Sequence, residues 1–341
     1  MLPSRAALFL ELHPALKRRL TEAALSRRAD LREIAAFSAA NGLSPALREE
    51  LLWYRLAYGY SRQEYFCYGF PEKTPAERRA FLSERESVLL SYRWNDLDGM
   101  TLLNDKYQTF CLYGAFFGRA AAPVRSAADG PGFLRFAAAH PVFVAKPLNG
   151  ARGEGVEKID LSATGENAAA VFLELLARGG VLAEEPIRQS AALARFHPAS
   201  VNTVRVVTFR DKNDGVSYDC FLKTGRGGSF VDNGAAGGVL AGIDPLTGYV
   251  VTDGVDESGR RWTSHPDTGV PFRGALLPEW EALLALCRRL SAVLPAVRLT
   301  GWDLAHTENG WLLVEANGQT ELIGPQAVFG RGLRHRWMNN H

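Results

Sequence analysis

The stretch GWDLAHTENGWLLVEANG, residues 301–318, decides how the rest of the chain is read. Its second half, Trp311 to Asn317, alternates with the two-residue period of a β-strand. Glu315 and Asn317 then project from one face, and Leu312, Val314 and Ala316 from the other. Residues Leu299 to Ala305 supply a partner strand, with Asn309-Gly310 as a strong turn signal between the two. A two-residue turn at Asn309-Gly310 pairs Leu304 with Glu315 and sends Asp303 to the opposite face. A three-residue loop of Glu308, Asn309 and a left-handed Gly310 sets Asp303 directly across from Glu315 instead. Two carboxylates so placed need a cation or a shared proton. Asp303, Glu315 and the amide oxygen of Asn317 are hard oxygen donors suited to Mg2+, with phosphate oxygens and water completing an octahedral shell. Acidic residues beside an Asn-Gly hairpin are usually no more than solvated, so other segments must carry part of the argument.

At 341 residues, 47% hydrophobic and 22% charged, the composition is that of an ordinary soluble globular protein of two or three packed units. A net charge of +2, with no basic-aromatic stripe, argues against a nucleic-acid partner. Cys67, Cys111, Cys220 and Cys287 stand far apart with no CxxC spacing, which implies neither zinc nor a disulfide framework but reduced, mostly core residues. No apolar run reaches about 18 residues, and the short one near the N-terminus is broken by Glu11 and His13. The expectation is a cytoplasmic protein that does not enter a membrane.

The first hundred residues lack strand alternation and carry helix-forming stretches at 14–26, 30–40, 44–58 and 75–91. Asp30 is the expected N-cap of the second, and Ser44-Pro45 opens the third. The aromatic cluster from Trp53 and Tyr54 to Tyr68 and Phe70 is expected to pack helices together more than to stack a ligand.

After the alanine-rich passage from Gly114 to Gly132, the pattern changes to mixed α/β with PVFVAKP, residues 141–147. That strand ends at Lys146, runs through the glycine loop 148–155 and resumes as a strand over 156–161. No helix follows the glycines, which excludes a Walker loop and a dinucleotide fingerprint. A glycine-rich hairpin is either a plain surface turn or a flap whose backbone N–H groups close over phosphate oxygens, with Lys146 offsetting their charge. Residues 166–178 form a helix closed by Gly179-Gly180, followed by VLAEEPIRQS, residues 181–190. This buried strand ends in Glu184 and Glu185, a hinge where adenine can lie and a glutamate can hold a ribose hydroxyl. Strands at 201–209 and 217–224 place Arg205 and Lys223 in mid-sheet, where a charge demands a partner. Trp280, Leu283, Leu284, Cys287, Leu290 and Leu294 mark an amphipathic helix that covers the sheet carrying the hairpin.

The order of Lys106 in LNDKYQTF, then FVAKPLNGARGEGV, LAEEPI, SVNTVRVVT, VDNGAAGGVLAGID and GWDLAHTENGWLLVEANG resembles the ATP-grasp fold over about residues 45–330. Its sugar-transfer associated, or glutamate ligase-related, branch is the most similar. With the helical N-terminal domain read at 1–100, the resemblance implies an α+β architecture that continues as a two-lobed grasp with a glycine-rich hairpin lid. The lid lobe falls at 101–180 and the large lobe with the metal site at 181–341. It implies that Lys106 and Lys146 hold nucleotide phosphates and that Gly150, Arg152, Gly153 and Gly155 belong to the lid. Glu184, Glu185 and Ile187 would line the adenine site, with Gln189 on the ribose. Asp303, Glu315 and Asn317 would hold Mg2+, and Arg205 would approach the transferred phosphate or the acyl intermediate. Lys223 stands where an arginine is expected, and the helical N-terminus replaces the usual preceding α/β domain.

The activity so implied is an ADP-forming carboxylate–amine ligase using ATP and Mg2+ on a small-molecule acid and amine. A carboxylate attacks the γ-phosphate, an amine attacks the acyl phosphate, and Arg205 or Lys223 stabilises the oxyanion. Arg152 and Arg226 are candidates for an acidic substrate, and Asp232 and Asn233 for an amine or hydroxyl. His306 reads equally as a base or as a half-exposed structural histidine. The tail 330–341 would shield the site, mediate assembly or fray. The same residues would serve a small-metabolite kinase or a non-catalytic nucleotide-binding scaffold.

Overall fold

The computed structural model describes residues 28–150, 154–165, 167–228 and 237–339. The helix-forming stretch at 14–26 lies outside the described residues. The chain forms a helical N-terminal region followed by two antiparallel sheets, and it divides into compact units at Tyr65/Phe66.

In the first unit, helix 28–40 runs through Asp30, which is no N-cap here: its carboxylate accepts the Arg55 guanidinium at 2.9 and 2.7 Å. Helix Pro45–Tyr58 starts as expected, with the Ser44 hydroxyl accepting the Leu47 N–H and proline in the first turn. Tyr54, Tyr58, Tyr60 and Tyr65 pack ring against ring, tilted or edge-on, a packing role.

In the second unit, the single helix expected over 75–91 is two, Pro75–Arg78 and Glu84–Trp94. Each opens with its own capping box, Thr74 with Glu77 and Ser83 with Glu86, so the local sequence restarts the helix. Helices Leu97–Asn104 and Lys106–Tyr113 follow, set off by the Asp96 and Asp105 caps.

The smaller sheet has the order β1-β4-β2-β3, with β1 Ala121–Val124, β2 Val142–Pro147, β3 Glu157–Asp160 and β4 Val181–Glu184. Helices Gly130–Ala139 and Ala168–Ala177 cover one face through Phe133, Phe136, Phe172 and Leu175, packed on Val124, Phe143, Ala145 and Ala183. Strand β1 falls inside the passage read as a separator. The pairs Val144↔Glu184 and Lys146↔Leu182 put Lys146 and Glu184 together on the other face.

The larger sheet runs β11-β10-β5-β6-β7-β8-β9. Its strands are β5 Thr203–Arg210, β6 Val216–Thr224, β7 Val239–Ile243, β8 Val250–Val255, β9 Arg261–Trp262, β10 Leu299–Thr307 and β11 Gly310–Asn317. Helix Trp280–Val293 buries Leu283, Cys287 and Leu290 against Val204, Val206, Leu222, Trp302 and Leu304 on one face. On the other face, Val207, Phe209 and Leu299 are covered by Leu322, Leu333 and Trp337. The C-terminal tail is therefore docked: Arg336 grips the Asp219 carboxylate at 2.7 and 2.8 Å, and Trp337 lies edge-on to Phe209. Beyond that cover, the sheet carries charged side chains.

Candidate active site

The hairpin turn is two residues, Glu308 and Asn309, closed by the pair Thr307↔Gly310 with Gly310 at φ 95°. The three-residue loop is thus not what aligns the carboxylates. A β-bulge at Val314 does: Leu304 pairs with Leu313, and Asp303 pairs with Glu315. The extra residue also corrects the expected facing of β11. Leu313 and Ala316 join the core under Trp302 and Leu304, because the bulge steps the alternation by one.

Across the sheet, Glu315 lies opposite Asp303 and Asp303 opposite Arg205, with Lys223 one diagonal further on the same face. Arg205 clasps both Asp303 oxygens at 2.6 Å, and Lys223 Nζ reaches Oδ2 at 3.3 Å. These are the partners that mid-sheet cations require. Burial pushes the Asp303 carboxyl up, but Arg205 and Lys223 outweigh it and hold it down at about 2. The same contact raises Arg205 against the opposing effect of its own burial. Asn317 sits across from Gly301 on the same face, its amide Nδ2 3.4 Å from the Gly301 carbonyl.

Lys106 stands at the start of its helix, whose N-cap Asp105 bridges to Asn149 of the loop after β2. Its Nζ lies 3.4 Å from Glu315 Oε1 and donates to the Gly150 carbonyl at 2.8 Å, joining hairpin and lid. Gly155 has φ 70°, and a side chain there would press on Pro147. Arg152 and Gly153 lie outside the described residues, as do Asp232 and Asn233.

On the small sheet, Lys146 Nζ donates to Glu184 Oε2 at 2.7 Å, and Arg119 donates to the same oxygen at 2.9 and 2.6 Å. Glu184 is buried, which would raise its carboxyl, and the two cations bring it below the usual carboxylate range. Glu185 binds Ala120 through its backbone N–H at 2.9 Å and through its carboxylate at 3.3 Å, and Ile187 is partly exposed. Gln189 is held by protein partners. Its amide donates to the carbonyls of His197 and Ser200 and accepts from the backbone and side chain of Asn202, which commits it to the loop before β5. His306 is buried, its Nδ1 2.8 Å from the Ser190 hydroxyl and its ring edge-on to Trp311, so the half-exposed histidine is a packed one. Arg226 pairs with Asp256 at 3.1 Å.

Sequence reasoning missed Arg119. The only trace is an arginine set among small and apolar residues, FFGRAAAPV, where a surface residue had no reason to be singled out.

Asp303, Glu315 and Asn317 offer two carboxylates and one amide on adjacent rungs. Among the described residues no group of three or more His, Cys, Asp or Glu is arranged to hold a metal ion. The donors fit a hard cation that takes its remaining ligands from phosphate and water. No helix of the described residues is long and apolar enough to cross a membrane.

The chain belongs to the sugar-transfer associated ATP-grasp family, whose model matches residues 133–341, more than half of its length. Among solved structures it is similar to the ADP complex of purK, an N5-carboxyaminoimidazole ribonucleotide synthetase. That match has 10% identity and a TM-score of 0.42, covering 66% of this chain and 47% of that one. A D-alanyl-alanine synthetase A from Vibrio cholerae matches at 13% identity and TM-score 0.40, covering 70% of this chain and 61% of that one. D-cycloserine synthetase DcsG matches at 16% and 0.41, covering 74% and 80%. The chain thus spans about half of the first of these and about three fifths of the second. No curated protein sequence matches it.

Proposed function

We propose that the chain is an ATP-dependent, ADP-forming carboxylate–amine ligase acting on small molecules. The row Glu315, Asp303, Arg205, Lys223 across one sheet face carries the reading. It pairs oxygen donors for a metal nucleotide with two cations for the phosphate and the oxyanion. When bound, Mg2+ would supply positive charge that offsets the charge developing on the transferred phosphate.

Asp303, Glu315 and Asn317 would hold the ion, and Lys106 and Lys146 the phosphates. Glu184, Glu185 and Ile187 would line the base. The acid's carboxylate oxygen attacks the γ-phosphorus, ADP leaves, and the amine displaces phosphate from the acyl carbon. Arg205 and Lys223 stand ready to hold the tetrahedral oxyanion, with Lys223 giving a point charge where an arginine fork would give two bonds. In this reading residues 101–180 form the lid lobe and 181–341 the large lobe. Four unpaired cysteines support a reducing, cytoplasmic setting.

The test is thermal unfolding with and without Mg-ATP, on the wild type and on Glu315→Gln. At a hundred times its dissociation constant the ligand should add about 2.7 kcal/mol to the wild type. Glu315→Gln should lose the Mg2+-dependent part. Its side chain is more than one-third exposed, and its ion pair with Lys106 is long. A wild type indifferent to every nucleotide sinks the reading. A stable phosphoester released with ADP, in place of free phosphate and an amide, would replace the ligase with a kinase.

A further inference from the structure

Arg119 lies in none of the stretches that carry the family resemblance, yet its guanidinium is 3% exposed and fully engaged. Nε and Nη2 meet Glu184 Oε2. Nη1 donates to the carbonyls of Phe117 at 3.0 Å and Leu313 at 2.7 Å, and Nη2 lies 3.4 Å from the Val314 carbonyl. Leu313 and Val314 are the residues of the β11 bulge, and that bulge sets Glu315 against Asp303. A bulge takes backbone groups out of the regular ladder, and buried carbonyls there need donors from elsewhere.

One side chain therefore ties the smaller sheet, at the carboxylate that also holds Lys146, to the point of the larger sheet where the oxygen donors are aligned. Only a planar fork reaches both ends at once. A lysine has a single nitrogen and would serve one.

We propose that Arg119 is a positioning residue that couples the nucleotide pocket to the metal hairpin. What Lys146 and Glu184 bind fixes the guanidinium, and the guanidinium fixes the bulge that presents Glu315 to Asp303. The proposal rests on the ligase reading, in which those two groups of residues hold nucleotide and metal. Coupling of this kind is reciprocal: Mg2+ tightens the nucleotide by the factor by which the nucleotide tightens Mg2+.

The experiment is calorimetric titration of ADP into the full chain, in EDTA and in saturating Mg2+, for the wild type and Arg119→Lys. In the wild type Mg2+ should raise ADP affinity about fivefold or more, the range of ordinary site-to-site coupling. Arg119→Lys keeps a positive charge beside Glu184, so its affinity in EDTA should stay within about threefold of the wild type while most of the Mg2+ factor disappears. A variant that keeps the whole factor overturns the proposal. So does one that loses affinity equally with and without Mg2+, which is what a merely structural arginine would do. A wild type that binds ADP without regard to Mg2+ overturns it as well, leaving nucleotide binding intact. A wild type that binds no ADP at all overturns the ligase reading and the coupling with it. If circular dichroism shows that Arg119→Lys does not fold, the same ratio is read on Glu184→Gln, which cuts the other end of the relay. The factor must fall there too, and a retained factor overturns the proposal.

Discussion

Replacing Asp303 by asparagine tests the physics of the site without any ligand. Asp303 is 3% exposed, and both its oxygens are held by Arg205, with Lys223 on one of them. Asparagine keeps the shape but leaves two cations in a buried place without their counter-charge. Removing one partner of such a pair costs about 3–5 kcal/mol. Proton linkage gives an independent measure. A carboxyl held at about 2 in the fold, against about 3.9 in the unfolded chain, contributes on the order of 2–3 kcal/mol at neutral pH. The folded value is the lower one, so this contribution is complete above the unfolded value and is lost as pH falls through the folded one, between about pH 5 and 1. Chemical denaturation at pH 7 should show Asp303→Asn destabilised by about 3–5 kcal/mol. Its stability should also fall less steeply in acid than that of the wild type. Adding Lys223→Met should restore part of the loss, since one uncompensated cation is gone. An Asp303→Asn protein within about 0.5 kcal/mol of the wild type would refute the reasoning, because Arg205 and Lys223 would then have other sources of compensation.

Two further changes test the frame around the site. Trp337→Ala should cost about 3–5 kcal/mol in a denaturant titration, because Trp337 is buried on Phe209 and closes one face of the larger sheet. A tail that merely frayed would show no change. Gly301→Ala should cost about 1–3 kcal/mol, because a methyl there would collide with the Thr320 hydroxyl and stand 3.4 Å from Arg205 Cδ. If it is tolerated in the same titration, Thr320 can move aside.

The strands around the lid and the hinge were legible because each carries its signal locally. PVFVAKP ends in a glycine loop, and VLAEEP ends in proline. The amphipathic helix under the larger sheet was legible for the same reason, since Leu283, Cys287 and Leu290 recur at helical spacing. The opposition of Asp303 and Glu315 was among the registers the hairpin allowed, but the device that selects it was not visible. A bulge at Val314 leaves no mark in an apolar run, and its stabilising donor is Arg119, nearly two hundred positions away. Strand β1 was hidden because AAPV is short and alanine-rich, and it pairs only with β4. Asp30 was misread, and what holds Gln189 was not legible, for one shared reason. Each is a polar residue in a place that suits a local or ligand duty, and each is claimed by a partner that the fold brings in, Asn202 for one and Arg55 for the other. Side chains committed across space leave no periodicity to read.

The charges along the site face have a consequence for what can enter it. Lys106, Arg205 and Lys223 stand against Glu315 and Asp303, with Glu321 close enough to act on Arg205 as well. The charges of the row are near balance. A divalent cation arriving alone would add uncompensated positive charge in surroundings of low dielectric, where like charges repel most. A cation carried by a polyphosphate would bring its own compensation to the same row. On the proposed function, the site would take metal and nucleotide together more readily than it takes the metal alone.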